Sequence, residues 1–203
     1  MLDVTIVDYG AGNLASVMKA FAEVGATARI AASAADLETA AAIVVPGVGH
    51  FAATTAIDEQ WRVAISRAVA ARTPLLGICL GMQWLLAGSD EAPDVAGLGI
   101  FDGRCQRLAG DVKVPHVGWN TLDTRGRRSA LLADIDAGAS VYFTHTFAVP
   151  VIAETTATAM HGCRFAAIVE RDRVVATQFH PEKSGTSGLR ILANFVRLAG
   201  KRH

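Results

Sequence analysis

The sequence predicts an α/β fold whose mixed, mainly parallel central sheet carries helices on both faces. Three observations predict it. Over the first ninety residues, short Val- and Ile-rich runs alternate with longer helical runs, which is typical of parallel strands joined by helices. The second half is rich in β patterns, which indicates an antiparallel extension of the sheet. Hydrophobic residues make up 51% of the chain and charged residues 19%, which is enough apolar material to cover both faces.

Each element of the first half follows from its local pattern. Continuous apolar runs indicate buried strands, and longer periodic runs indicate helices that begin at a capping residue such as Ser33 and end at a glycine such as Gly25. The predicted strands cover 2–7, 27–30, 42–45 and 74–78. The predicted helices cover 14–24, 34–40, 51–71 with a break near Asp58, and 80–87.

The second half is predicted to open with a polar loop from Gly88 onward and to close with a helix over 188–198, whose apolar residues share one face. Between them, the predicted strands cover 98–108, 140–147, 154–160, 165–170 and 174–178, with a tight turn at Arg171-Asp172. The length of the chain fits a single domain over 1–203.

The composition argues against several classes of function. Nineteen basic residues balance nineteen acidic ones, so nothing indicates nucleic acid, and the basic run at 125–128 is interpreted as a solvated loop. No apolar run approaches the ~20 residues of a membrane span, and residues 1–7 do not resemble a signal peptide. Three cysteines without framework spacing favour a cytoplasmic location. The histidines lack metal-ligand spacing, so we expect no metal and no cofactor.

The stretch with the strongest chemical signal is Gly77-Ile78-Cys79-Leu80-Gly81, at the junction of a predicted strand and a predicted helix. It has the layout of the Gly-x-Ser-x-Gly elbow, in which the nucleophile occupies a strained turn and small neighbours allow close backbone packing. A thiol at that turn also lies at a helix N-terminus, which favours the thiolate. The alternative interpretation is a small buried cysteine in a core strand.

A second stretch, near the C-terminus, supplies the groups that a nucleophilic thiol needs. A cysteine nucleophile requires a base, and the base requires an orienting group. His180 and Glu182 are two residues apart, so on an extended backbone their side chains point to the same side. Cys79, His180 and Glu182 therefore form a candidate catalytic triad; the alternative is that His180 is only a turn residue before Pro181.

Together, the two stretches resemble the class I (triad) glutamine amidotransferases, which hydrolyse glutamine to glutamate and ammonia through Cys, His and Glu. Further motifs resemble one branch of that family, the glutaminase subunits of imidazole glycerol phosphate synthase, and the resemblance runs from about Ile6 to Ala199. These motifs are Asp8-Tyr9-Gly10-Ala11-Gly12-Asn13, Pro46-Gly47-Val48-Gly49-His50-Phe51, Val114-Pro115-His116-Val117-Gly118-Trp119-Asn120, Tyr142-Phe143-Thr144-His145 and Glu182-Lys183-Ser184-Gly185. After His145 the family usually has Ser-Tyr, whereas this chain has Thr146-Phe147.

The resemblance implies roles for residues beyond the triad. The backbone N–H groups of Val48 and Leu80 would form the oxyanion hole. The residues implied in glutamine binding are Gly47, Gly49, Gln83, Thr144 and His145. The partner would be a (β/α)8-barrel cyclase subunit of histidine biosynthesis, which forms a heterodimer with this chain and uses the ammonia. The residues implied at the partner interface are Asn13, Trp119, Asn120 and Lys183. From the residues alone, Asn13 could equally be a helix cap, and Trp119 could be core or cover a pocket.

Three other functions stay open from the sequence. The same fold could release ammonia for a different synthase, such as anthranilate synthase, although the motifs at 8–10 and 118–120 argue against it. The chain could be a non-catalytic regulatory module, which would not need all three triad residues. It could also be a cysteine hydrolase or peptidase, which the His-Pro-Glu motif and the loop at 46–49 disfavour. The sequence assigns no role to Cys105, Cys163 or His161.

Overall fold

The computed structural model describes residues 2–124 and 128–201 and contains thirteen strands over these residues. Most of the predicted loop at 125–128 lies outside the described residues. The strands are β1 (Asp3–Ile6), β2 (Thr27–Ile30), β3 (Ala42–Val45), β4 (Leu75–Ile78), β5 (Leu86–Ser89), β6 (Ala92–Ala96), β7 (Phe101–Arg107), β8 (His116–Thr121), β9 (Ser140–His145), β10 (Phe147–Ala148), β11 (Thr155–His161), β12 (Cys163–Arg171) and β13 (Val174–Thr177).

Four α-helices and three short 3-10 helices connect these strands in the described residues. The α-helices are α1 (Leu14–Glu23), α2 (Glu59–Ala70), α3 (Leu80–Trp84) and α4 (Gly185–Gly200). The 3-10 helices cover Ala34–Thr39, Phe51–Ala56 and Pro181–Lys183. The predicted break near Asp58 is confirmed, because the Asp58 carboxylate caps α2 by accepting hydrogen bonds from the N–H groups of Gln60 and Trp61.

The central sheet has seven strands in the order β11-β12-β13-β4-β3-β1-β2. From β13 to β2 all neighbouring strands are parallel, whereas β11 and β12 continue the sheet in antiparallel fashion. This confirms the predicted mixed, mainly parallel sheet. The carboxyl ends of β1, β3, β4 and β13 consequently meet at one edge, which is where ligands bind in open α/β sheets.

Helices cover both faces of this sheet. Successive residues of a strand point to opposite faces, so they belong to two separate hydrophobic cores. Val44 and Leu76 pack toward α1 and α4, whose facing aromatic rings, Phe21 and Phe195, meet edge to face at 6.3 Å. The neighbouring strand residues pack toward α2 and the 3-10 helix Ala34–Thr39 on the opposite face; they include Ile43, Val45 and Leu75.

Two predictions for the middle of the chain are wrong. The helix predicted over 80–87 ends at Trp84, and the polar loop predicted from Gly88 is instead the strand pair β5 and β6. A later segment occupies the carbonyls that would accept the next hydrogen bonds of the helix. The Leu98 N–H donates to the Trp84 carbonyl, and the Ile100 N–H donates to the Leu85 carbonyl. Gly97 allows that approach, since a Cβ at Gly97 would lie 1.9 Å from the Leu86 carbonyl oxygen.

The antiparallel extension involves fewer strands than predicted. Among the second-half strands, β11 and β12 join the central sheet in antiparallel fashion and β13 joins it parallel to β4. The strands β5, β6, β7 and β10 form a separate four-stranded sheet, and β8 pairs with β9 in a two-stranded ribbon. The ribbon lies against the carboxyl edge of the central sheet, because the His180 N–H after β13 donates to the Tyr142 carbonyl of β9. The ribbon therefore contributes to whatever site that edge holds.

Arg173 fastens the last helix to the central sheet, and its loss should destabilise the fold. Its guanidinium is buried at the C-terminus of α4 and donates to the carbonyls of Leu198, Ala199 and Lys201. We expect Arg173→Met to lower the free energy of unfolding by about 2 kcal/mol, because charge-assisted bonds are lost while the apolar stem is kept. Urea denaturation measures this. The control Arg190→Met, on an exposed turn of α4, should stay within about 0.5 kcal/mol of wild type; equal losses in both variants would contradict the prediction.

Candidate active site

Cys79 occupies a strained turn between β4 and α3. Its φ of 52° and ψ of −106° lie outside the regions that non-glycine residues favour. The flanking glycines make this turn possible: a Cβ on Gly81 would lie 1.9 Å from the Val45 carbonyl oxygen, and one on Gly77 would lie 3.0 Å from the backbone of Gly81. The turn therefore presents the thiol at the carboxyl edge of the sheet, at the start of a helix.

His180 and Glu182 form a buried pair in the loop that follows β13. The imidazole Nδ1 lies 2.7 Å from the Glu182 Oε1, and the two side chains are 1% and 3% exposed. Ser184 fixes this loop against β9, because its hydroxyl donates to the His180 carbonyl at 2.6 Å and accepts from the Tyr142 N–H at 2.9 Å. The imidazole is thus held from one side by a carboxylate and cannot turn freely.

The charge state of His180 is coupled to Cys79. Nε2 is buried and makes no hydrogen bond to a nitrogen or oxygen atom of the described residues. Burial lowers the pKa of His180, but the charge and hydrogen bond of Cys79, and then those of Glu182, outweigh burial and raise the pKa from 6.5 to about 10. The raised pKa therefore keeps the His180 imidazole protonated at neutral pH.

A cavity of about 260 Å³ opens directly over Cys79. Its walls come from the loop after β3, from α3, from the turn between β5 and β6 and from the end of the β8–β9 ribbon. The lining residues include Gly49, Gln83, Glu91, Thr144, His145 and Phe147. A larger cavity of about 600 Å³ lies between α2 and the 3-10 helix Ala34–Thr39. That larger cavity borders Thr73, before β4, whereas Cys79 follows β4, so the two cavities lie at opposite ends of that strand.

The loop after β3 closely approaches the turn that holds Cys79 but does not offer both backbone donors expected of an oxyanion hole. The N–H of Leu80 donates to the Gly47 carbonyl at 3.3 Å. Because a trans peptide is planar, the Val48 N–H then points away from Leu80. Gly47 has no room for a side chain, since a Cβ there would lie 2.0 Å from the Tyr9 hydroxyl, and Gly49 has a φ of 106°.

Two amide side chains, of Gln83 at the cavity and of the buried Gln178, are linked by a hydrogen bond beside the thiol. The Gln83 Nε2 donates to the Phe147 carbonyl at 2.8 Å and to the Gln178 Oε1 at 3.3 Å. The Gln178 Nε2 in turn lies 3.7 Å from the Cys79 Sγ, and the Thr144 carbonyl lies 3.9 Å from the same sulfur. The structure therefore brings together the three triad candidates, Gln83 and Thr144, as the sequence predicted.

Comparison with known proteins identifies the family. Residues 5–199 match the family model described as glutamine amidotransferase class-I. The chain belongs to the class-I glutamine amidotransferase family. A Deinococcus radiodurans protein named imidazole glycerol phosphate synthase subunit HisH is 44% identical over 201 residues, which cover 96% of this chain and 93% of that protein. The HisH subunit of Syntrophotalea carbinolica is 44% identical over 205 residues, covering 95% of this chain and 98% of that protein.

The fold comparison agrees with this assignment. A crystal structure of a glutamine amidotransferase superposes with a TM-score of 0.76 over 97% of this chain and 99% of the other, at 21% sequence identity. At 21% identity, this match supports a shared fold and no conclusion about function. The predicted enzyme class, a glutamine amidotransferase, is confirmed by the family match and by the HisH relatives.

Of the residues predicted to face a partner, Asn13, Trp119 and Lys183 are exposed near this edge, whereas Asn120 is half-buried. Trp119 is 59% exposed and lies beside Gly185, and Lys183 is exposed in the turn after His180. Asn13 is exposed, but its side chain caps α1 by accepting from the Ser16 N–H. Asn120 is half-buried and directs its amide inward.

Two residues of this amidotransferase site, and one residue outside its cavity, were missed from the sequence. Gln178 reaches the thiol although it stands 99 positions from Cys79. Glu91 lines the cavity and accepts a hydrogen bond from the Phe51 N–H at 2.7 Å, although it was predicted to lie in a polar loop. His161, to which the sequence assigned no role, stacks on His116 with ring centroids 4.1 Å apart. The useful signal for Gln178 was its position two residues before His180.

Neither a metal cluster nor a membrane helix is found in residues 2–124 and 128–201. No group of three or more His, Cys, Asp or Glu side chains there could hold a metal ion. Within the same ranges, every helix is too short or too polar to cross a bilayer.

The charge state of His180 gives a direct test of the pairing with Cys79. Because a raised pKa means that the proton stays bound until the pH approaches that value, we expect the His180 ring to titrate near pH 10 and to stay charged at pH 8. Cys79→Ala removes the interaction that raises the pKa of His180 most, so the midpoint of the His180 titration should fall. Histidine-ring NMR titration, assigned with His180→Asn, measures both midpoints. A wild-type midpoint near 6.5 would contradict the pairing.

Proposed function

We propose that this chain is the glutaminase subunit of an imidazole glycerol phosphate synthase, which hydrolyses L-glutamine to glutamate and ammonia and passes the ammonia to a (β/α)8-barrel cyclase subunit. The observation that carries the chemistry is the thiol of Cys79 under a small polar cavity, beside the buried His180–Glu182 pair. The names of the relatives carry the assignment to this synthase. A cytoplasmic heterodimer of histidine biosynthesis is part of the same proposal.

In the first half of the reaction, the Cys79 sulfur attacks the amide carbon of glutamine. A carbon–sulfur bond forms, and the carbonyl electron pair moves onto oxygen, where backbone N–H groups of Leu80 and Val48 would stabilise it. The intermediate collapses by breaking its carbon–nitrogen bond, and His180 donates its Nε2 proton so that ammonia leaves. Glu182 keeps the imidazole oriented and stabilises its charge.

In the second half, water hydrolyses the γ-glutamyl thioester. The now neutral His180 removes a proton from the water, and the oxygen attacks the thioester carbon. Collapse of the second intermediate breaks the carbon–sulfur bond, releases glutamate and restores the thiolate–imidazolium pair. One base in one position therefore serves both halves, which explains why the loop holding His180 is fixed by Ser184.

The cavity has a group that fits the α-amino end of glutamine. Glu91 is the carboxylate that lines the cavity, so it suits the substrate ammonium group. Gln83 and the backbone around Gly49, Thr144 and His145 surround the remainder of the substrate, as the resemblance implied. A volume of about 260 Å³ suits one free amino acid and leaves little room for a peptide chain, which favours glutamine over a peptidase substrate.

The partner assignment draws on exposed apolar side chains near the same edge. Val117 and Trp119, both on β8, are 58% and 59% exposed, and exposed large apolar groups mark interaction sites when they cluster. Released ammonia is useful only where an acceptor is present, so a subunit covering this edge would receive it. Asn13, Trp119, Asn120 and Lys183 remain our candidates for that interface.

The proposal is tested by incubating the chain with L-glutamine, alone and with a candidate barrel cyclase subunit, and measuring glutamate and ammonia. We expect equal amounts of the two products and faster turnover in the presence of the subunit. Absence of glutamate under both conditions would overturn the glutaminase assignment. Turnover that never depends on the barrel subunit, together with failure to co-purify with it, would overturn the partner assignment.

A further inference from the structure

Three histidines meet at the base of the β8–β9 ribbon, and the proposed glutamine chemistry uses none of their rings. His116 on β8 and His145 on β9 are buried, with their facing nitrogens 3.1 Å apart. His161 on β11 stacks on the other side of His116 and bonds through Nε2 to the Lys113 carbonyl at 2.8 Å. In a network of buried polar rings, loss of one hydrogen bond leaves a polar group buried without a partner, which is costly.

The hydrogen bonds of this cluster run in one direction only. The His145 Nδ1 lies 3.0 Å from the Phe147 carbonyl, which accepts and cannot donate, so Nδ1 carries the proton. The His145 Nε2 must then accept from the His116 Nδ1–H. The remaining nitrogen, the His116 Nε2, accepts from the Asn120 amide at 3.3 Å. Geometry thus fixes one tautomer, with the proton on Nδ1, for both rings.

The same network requires both rings to be uncharged. A protonated ring has no lone pair with which to accept, so charging either histidine would break one link. Burial supports the neutral forms: it lowers the pKa of His116 to about 4, with help from His161, and lowers the pKa of His145 to about 3 against the opposing bond to Phe147. The relay is therefore fully formed at neutral pH.

The inner end of the relay reaches the glutamine cavity. The Phe147 carbonyl accepts from the His145 ring and also from the Gln83 amide at 2.8 Å. Gln83 lines the cavity and continues through Gln178 to the Cys79 sulfur. Phe147 belongs to β10, a two-residue strand that pairs with β7 alone, so its carbonyl has little other support. The ring of His145 is the group that holds this carbonyl against Gln83.

We propose that His145 and His116 are positioning residues that fix the Phe147 carbonyl and thereby orient Gln83 toward glutamine, with Asn120 as the outer end of the relay. This inference rests on the proposed glutaminase function. Asn120 directly follows the exposed Trp119, and its amide also donates to the Met160 carbonyl at 2.9 Å. The relay therefore begins next to the proposed partner face and ends at the substrate cavity.

Substitution of His145 separates positioning from packing. His145→Leu removes the donor to Phe147, and we expect the KM for glutamine to rise about tenfold with a smaller change in kcat, because one hydrogen bond that orients a binding group is lost. His145→Asn keeps a donor near the Nδ1 position and should restore KM to within about threefold of wild type. The control His161→Phe preserves the stacking on His116 and leaves the relay intact, so its KM should match wild type.

The result that overturns the proposal is a folded His145→Leu whose KM equals that of wild type, or equal KM values in His145→Leu and His145→Asn. If His145→Leu does not fold, nitrogen-15 NMR of the wild-type protein still tests the relay, because it reports the tautomer and charge of the His116 and His145 rings. At pH 7 both rings must show a neutral ring with the proton on Nδ1; an Nε2-protonated or charged ring at either position overturns the relay. Because the NMR measurement needs no turnover, loss of the proposed glutaminase function and loss of the relay give distinguishable results.

Discussion

Cys79→Ala should abolish glutamine hydrolysis while leaving the fold intact. Loss of a catalytic nucleophile costs on the order of 10⁴- to 10⁶-fold in kcat, because only substrate binding and oxyanion donors remain. The side chain is 5% exposed and loses one sulfur, and alanine meets the same φ of 52° as cysteine. Glutamate release measures activity, and circular dichroism with urea denaturation measures folding. Cys163→Ala, on β12 and away from the cavity, is the matched control and should keep wild-type turnover.

Chemical labelling gives the same prediction an independent readout. A glutamine-like electrophile should label Cys79 and spare Cys105, whose thiol is fully buried and whose pKa is raised by that burial. Labelling of Cys105 or Cys163 at a comparable rate would contradict the assignment of the nucleophile.

His180→Asn should lose activity to a similar extent as Cys79→Ala, whereas Glu182→Gln should lose less, because orienting groups contribute less than the nucleophile or base. Full activity in Glu182→Gln would remove Glu182 from the triad.

Most of the fold that could be predicted from the sequence follows from local patterns. Strands β2 and β3 were predicted with the bounds that the structure shows; β3 is a continuous apolar run, whereas β2 is a short and largely exposed edge strand. The elbow is also local: Gly77 and Gly81 flank the nucleophile and stand where any Cβ would clash. His180 and Glu182 were expected to point to the same side of an extended backbone; they do meet, but through the 3-10 turn Pro181–Lys183 that follows the strand.

The features that could not be predicted depend on contacts between distant residues. Leu86 lies in a strand because residues 97–101 occupy the carbonyls around the end of α3, and helical periodicity contains no information about that competition. The roles of Gln178 and His161 likewise depend on neighbours in distant elements, Gln83 on α3 and His116 on β8. Polar networks of this kind are built from residues that each look ordinary in their own segment.

The arrangement of the loop after β3 predicts that the isolated chain is a poor glutaminase. Leu80 N–H is occupied by the Gly47 carbonyl at 3.3 Å, so it cannot stabilise an oxyanion until that carbonyl moves. Rotation of the Gly47–Val48 peptide would release Leu80 and turn the Val48 N–H toward the site at the same time. Loss of one oxyanion donor costs about 10²–10³ in rate, so we expect turnover to rise by at least that factor when the barrel subunit and an acceptor analogue are bound.

Gly49 is the residue whose substitution tests this switch. Its φ of 106° is strained for any β-branched side chain, so Gly49→Val penalises the resting arrangement of the loop, although a Cβ there meets nothing within 4 Å. We expect the ratio of turnover in the complex to turnover in the lone chain to fall in Gly49→Val. Gly25→Val is the matched control, because Gly25 has a φ of 79° and open space around its Cβ position but ends α1, away from the loop.

The control should lose stability without changing the activation ratio, which separates general strain from loss of the switch. Glutamate release by each variant, alone and with the barrel subunit plus acceptor analogue, gives the ratio. Equal turnover of the wild-type chain in both states would rule out the peptide switch while leaving the thiol chemistry in place. A flip of the Gly47–Val48 peptide changes ψ of Gly47 and φ of Val48, so the chain after Val48 must adjust, and a glycine at position 49 makes that adjustment easier than a β-branched residue would.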